Sequence, residues 1–189
     1  MTRRQPPSKD NIQERNLGRI TEEMRYVDEM ALVVLKGHLI IEEPVDRILE
    51  TFVFHADHLR QANLRFFQKV LVIRSVSLDE HNNSWDLLYA LNELRNAPAH
   101  LREPERRAQK VERLKSLYFD IRGNESTDEE KASADHVIAF FALGMLSGFL
   151  GSFEEEVVRF KGLVRTLDRV VNPHRHNTKK NPEQPTHKL

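Results

Sequence analysis

The sequence predicts an all-α fold, a bundle of five to six helices, and three observations carry that expectation. Apolar residues recur at alternating spacings of four and three along much of the chain, the period of one helix face. No stretch alternates polar and apolar residues for long enough to suggest a strand. The 189 residues include only 7 glycines and 8 prolines, and most of the prolines lie near the ends, so the regular turn signals of a β-sandwich are lacking.

This length favours one domain. The pattern places a single helical domain at 13–171 between disordered tails at 1–12 and 172–189. The first tail is polar and proline-bearing. The second holds one apolar residue, its last, Leu189. Neither can bury enough surface to offset the entropy lost on ordering.

Within the domain, Ile20, Met24, Val27, Ala31, Val34, His38, Ile41, Val45, Ile48 and Phe52 form one apolar stripe. They predict a long first helix that Pro44 kinks or divides, because proline lacks the donor a helix interior needs. A second helix is expected at 58–77 through Leu59, Ala62, Phe66, Val70 and Ile73. The turn at 79–83 and an N-cap at Ser84 introduce a third, bearing Leu87, Leu88, Leu91 and Leu94 and ending near Pro98. A charged fourth helix covers 104–120 with Val111, Leu114, Leu117 and Tyr118. After the loop at 123–128, Thr127 or Asp128 caps a last helix spanning 129–170, with Gly151–Ser152 a candidate break point. Gly144, Gly148 and Gly151 in that helix read equally well as sites of close backbone approach or as a weakened segment.

Composition narrows the function. Lys+Arg and Asp+Glu are 29 each, which argues against the strongly basic surface of a dedicated duplex-DNA binder and leaves room for a local basic cleft. The absence of cysteine excludes disulfides, thiolate metal sites, haem attachment and cysteine nucleophiles. Residues 1–12 lack the apolar core of a signal peptide. The apolar run Val137–Leu150 is shorter than the roughly 20 residues of a membrane span and reads as a core helix. The expectation is a cytoplasmic protein with no membrane partner.

Most enzyme signatures are absent, including a glycine-rich phosphate loop, a nucleophile elbow and HExxH, and no metal or cofactor is expected. His55 and His58 have helical spacing but lack a third ligand nearby. His38 reads as a core histidine bonded to a carbonyl. Of the pair Glu42–Glu43 at least one is expected on a solvated face, and Glu154–Glu156 form another such face. His174 and His176 lie in the tail.

One segment stands apart, LNELRNAPAH at Leu91–His100. It places Arg95 and Asn96 at the end of an amphipathic helix and His100 five residues beyond the arginine, with Pro98 letting the chain turn back. Histidine has the pKa for proton transfer, and arginine offers a fixed fork of donors for phosphate oxygens. Together they suit attack of a ribose 2′-OH on the neighbouring phosphate without a metal. One histidine cannot readily be both acid and base in a single step, which favours two copies meeting across a two-fold axis. Similar spacings recur at Arg74/His81, where the histidine lies in a turn, and at Arg169/His174 and Arg169/His176, where the arginine precedes a valine and runs into the tail.

The segment resembles the signature of the HEPN superfamily (higher eukaryotes and prokaryotes nucleotide-binding domain), all-α proteins marked by an arginine, a polar residue and a histidine four to six positions on. A long first helix with an acidic pair and a second apolar helix precede the motif in the same order, and the resemblance covers about residues 20–120. It implies a HEPN-like bundle and a metal-independent endoribonuclease cleaving RNA at a dimer cleft. Arg95 and His100 match the catalytic pair and Asn96 the polar position. It further implies a homodimer, often a toxin paired with a nucleotidyltransferase-type antitoxin. The alternative is a non-catalytic helical regulator or protein-interaction module, since branches of the superfamily act in that way. Arg102, Arg106 and Arg107, followed by Lys110 and Arg113, are candidates for an RNA-binding rim. They read equally as a solvated face paired with Glu103, Glu105 and Glu112.

Overall fold

The computed structural model describes residues 28–96 and 104–176, and these form an all-α fold. The helices are α1 (Glu29–Phe52), α2 (Ala56–Gln61), α3 (Phe66–Ser75), α4 (Asn83–Asn96), α5 (Pro104–Arg122), α6 (Asp128–Lys131), α7 (Asp135–Val171) and α8 (Pro173–His176). A 3-10 turn at Gly123–Glu125 follows α5. The expected tail residues 1–12 and 177–189 lie outside the described residues, as do Ile20, Met24 and Val27 of the predicted stripe. Pro173–His176, read as tail, forms a short helix in which the His176 ring contacts Asp168 at 2.8 Å.

Asp28 starts α1, its side chain accepting from the Ala31 N–H at 2.8 Å, and satisfies one of the donors that every helix N-terminus leaves open. The helix runs through Pro44 undivided. The carbonyl that loses its donor belongs to Ile40, an exposed position, where water can take the place of the missing N–H. The helix expected at 58–77 is two, α2 and α3. Asn63 between them takes a left-handed φ of 46°, a conformation that ends a helix and that asparagine tolerates better than most residues. The cap of α4 is Asn82 rather than Ser84, its side-chain oxygen accepting from the Ser84 N–H at 3.0 Å. Thr127 caps α6 in a capping box with Glu130. The last predicted helix is likewise split, into α6 and α7, and α7 is unbroken at Gly151–Ser152.

α1 and α7 lie side by side and run the same way, as three contacts at constant offset show. Glu29 meets His136 at 3.2 Å, Arg47 meets Glu154 at 3.2 Å, and Lys161 donates to the Val53 carbonyl at 2.8 Å. Glu154 therefore joins two helices, unlike the solvated face expected of Glu154–Glu156. Close approach between these helices occurs at Gly37, where a Cβ would fall 2.1 Å from Leu143 Cδ1, and not at Gly144, Gly148 or Gly151, which have open space beside them. By length and composition α7 could cross a membrane. In the fold its Ile138, Ala142, Leu146 and Leu150 pack into the core.

α4 is the centre of the bundle. Trp85, Leu87, Leu88, Ala90, Leu91 and Leu94 are all buried, so this helix is covered on nearly every side rather than along one stripe. Trp85 meets Phe149 and Phe153 edge-on, and its indole donates to the Asp79 carbonyl at 3.0 Å. Replacing Trp85 by phenylalanine keeps most of the apolar contact but opens a small cavity and leaves the Asp79 carbonyl with only the longer bond from the Asn82 N–H at 3.4 Å. The expected loss is about 1–3 kcal/mol, a drop of several degrees in melting temperature followed by circular dichroism. An unchanged melting temperature would show that the indole bond contributes nothing.

Candidate functional site

The apolar face of α4 ends at Leu94, and the next two residues reach the surface. Arg95 is half-buried, and Asn96, the last residue of the helix, is exposed. A cation in the final turn complements the negative end of the helix dipole. His100 and Arg102 lie outside the described residues. No carboxylate among the described residues pairs with Arg95, whereas Arg47, Arg60, Arg74, Arg107, Arg113 and Arg122 each have an acidic partner.

Behind Arg95 lies His38 of α1. Its ring is fully buried, 4.3 Å from the ring of Phe66 between centroids. The carbonyl bond expected for it is not formed, and neither ring nitrogen has a hydrogen-bond partner among the described residues. Burial lowers the His38 pKa, and the positive charge of Arg95 lowers it further. The Glu42 carboxylate, 3.8 Å from Nδ1, and the side chain of Asn92 oppose the shift. Burial thus favours the neutral form of the His38 imidazole, within electrostatic reach of the Arg95 guanidinium. A buried polar group without a good partner is costly, so its surroundings constrain its charge state closely.

The acidic pair on α1 divides as its spacing allows. Glu42 turns toward α3, where Lys69 contacts it at 3.2 Å and Asp46 at 2.7 Å. Glu43 points outward and pairs with Arg47 at 2.8 Å. Asn92 is buried three residues before Arg95, on the same face of α4. The motif itself does not point to Asn92, although a lone amide among leucines one turn before the motif arginine is a visible signal.

The basic residues of α5 are spent largely on the protein itself. Arg107 binds the carboxylate of Asp28. Lys110 donates to the Glu93 carbonyl at 3.1 Å, and Arg113 to the Glu93 carboxylate at 2.9 Å. They fasten α5 to α1 and to the motif helix; Glu112 pairs with Lys115 at 2.9 Å, and Glu103 lies outside the described residues. Arg106 is exposed on α5. Elsewhere the His55 and His58 rings stand 6.2 Å apart, and among the described residues no three His, Cys, Asp or Glu side chains come together as a metal site would require.

Compared with protein-family models, with curated proteins and with solved structures, the chain matches none.

The position of His38 gives a pH dependence. Its folded pKa lies below the usual histidine value, so the unfolded chain binds the proton more readily. The stability tied to this group is complete above about pH 6.5 and declines as pH falls below that value toward the lower folded pKa. Thermal melts between about pH 7 and about pH 5 should show a slope that flattens in His38→Leu. An identical slope in both proteins would contradict the buried neutral imidazole.

Proposed function

We propose that the protein is a metal-independent RNA endonuclease of the HEPN type, acting as a homodimer. Arg95 binds and stabilises the phosphate under attack, and His100 transfers the proton. The observation that supports this reading is Arg95 itself. It is a half-buried guanidinium at the end of a rigid helix, without a carboxylate partner among the described residues, and backed by a histidine that burial keeps neutral. Such a group is available to an anion and is fixed in direction by the core beneath it, which is how a preorganised donor stabilises developing charge. In this reading Asn96, exposed at the end of the helix, orients substrate or the His100 imidazole. Pairing with a nucleotidyltransferase-type antitoxin belongs to the same reading and rests on the resemblance of the motif.

A second reading, a non-catalytic interaction module, is favoured by a different observation. Arg107, Lys110 and Arg113 are tied to Asp28 and Glu93, which reduces the phosphate-binding rim that a nuclease would use.

Incubation of the purified protein with mixed-sequence RNA in EDTA separates the two. The nuclease reading expects cleavage to persist in EDTA and to fall about 100-fold or more in Arg95→Ala and His100→Ala. Removing the half-exposed Arg95 side chain should shift stability by only about 0.5 kcal/mol. Absence of cleavage by the parent protein, or cleavage that EDTA abolishes, would contradict it.

A further inference from the structure

The last third of α7 runs beyond the buried core, with contacts from Lys161 to the Val53 carbonyl and from Asp168 to His176 of α8. α1 ends at Phe52, level with the start of that segment, and no residue of α7 beyond Val157 is buried. The apolar pattern does not stop with the burial. Leu146, Leu150, Phe153, Val157, Phe160, Val164, Leu167 and Val171 follow spacings of four and three without a fault. These are the a and d positions of a heptad, with valine at the last three a positions. The first four face the core. Phe153 and Val157 are 6% and 5% exposed, while Phe160, Leu167 and Val171 are 56%, 62% and 65% exposed.

Leu163 and Val170 widen the stripe, at 69% and 72% exposed. The projecting apolar side chains leave on the order of 600 Å² of apolar surface in water, at the upper end for a monomer and close to the roughly 800 Å² per partner of a standard interface. Among the described residues nothing else buries these side chains.

We propose that this surface is a dimer seam, in which the projecting end of α7 pairs with the same segment of a second copy running in the opposite direction. Two features select that orientation. The seam continues the core-facing stripe, so it points to the side occupied by its own bundle. A partner in parallel would bring its bundle into that same space, whereas an antiparallel partner extends away from it. The charges agree. The chain just before the segment is acidic, with Glu155 and Glu156 exposed, Arg159 and Arg165 are exposed along it, and its tip is basic, with Arg169, His174 and Arg175 exposed. Antiparallel pairing sets each basic tip beside the other copy's acidic stretch, while parallel pairing sets like beside like. In this register Val164 packs against the second copy's Leu167 and Phe160 against its Val171, an isologous contact that closes on itself.

The seam rests on the exposed helix and not on the nuclease reading. It bears on that reading at one point. His38, beneath Arg95, is level with about residue 145 of α7 by the offset of the α1–α7 contacts. The two motif arginines therefore stand on the order of 60 Å apart across this seam, at 1.5 Å per helical residue. A cleft shared by two motifs would need a separate contact.

The test is the mass of the assembly by sedimentation at micromolar concentration, with the double variant Phe160→Glu, Leu167→Glu beside the parent chain. Both positions lie outside the core, so the circular dichroism spectrum should stay that of the parent. The variant assembly should have half the parent's mass. A monomeric parent, or a variant of unchanged mass, would overturn the proposal. Because the chain has no cysteine of its own, direction can be read from disulfides. A mixture of Phe160→Cys and Val171→Cys chains should cross-link, and neither alone. Cross-linking of either variant alone would overturn the antiparallel seam. None of these readouts involves RNA: a variant of unchanged mass sinks the seam and leaves the nuclease reading standing, whereas a monomeric parent also contradicts the dimer of that reading, and the cleavage assay tests the nuclease by itself.

Discussion

The burial of α4 is the constraint on which the rest of this structure depends. A helix carrying Trp85, Leu87, Leu88, Leu91 and Leu94 in the core has to be covered by other helices on several sides, and α1, α3, α5 and α7 provide that cover. Its direction fixes where the chain next meets solvent, at Arg95 and Asn96. The polar end of α4 is thus placed by hydrophobic packing, and the ion pairs from α5 to Glu93 and Asp28 add orientation to a helix already committed. Exposed pairs of this kind contribute little each. Their part is to define how α5 crosses the motif helix.

His38 is the place where that packing meets an electrostatic requirement. It enters the core as part of the apolar stripe of α1, and the stripe positions it under Arg95. A charged imidazole there would face both desolvation and a neighbouring cation. The neutral form is the one the fold accepts, and this leaves the Arg95 guanidinium without a charged imidazole to repel it. Glu42 approaches the ring, yet Lys69 also claims it, so the carboxylate is shared between a buried neutral ring and a surface ion pair.

Most of the fold is legible in the sequence because its helices advertise themselves by period and cap. The stripe from Ala31 to Phe52, the leucines of α4 and the Thr127 cap all correspond to observed elements. The boundaries that are not legible depend on single backbone conformations or on tertiary context. Nothing in the composition of 58–77 marks Asn63 as left-handed, and Pro44 is tolerated because its orphaned carbonyl belongs to an exposed residue. Gly37, and not a glycine of α7, is the one whose missing Cβ makes room for the other helix, at Leu143, since that depends on which side of α7 faces α1. At the site, the motif points to Arg95 but not to its neighbours His38 and Asn92 as a group, because residues distant in the chain meet only once the bundle is assembled. Likewise the heptad of α7 can be read in the sequence, but that its second half is uncovered follows only from where α1 ends.

A helix so fully enclosed should be the last element to lose its structure, and native-state hydrogen exchange measures that directly. Amides from Leu87 to Leu94 should exchange only through global unfolding and be the slowest in the protein, with α2 and α8 opening locally and far faster. If α4 exchanged ahead of α1 and α7, the core would not anchor the motif end, and hydrophobic packing could not be what places Arg95.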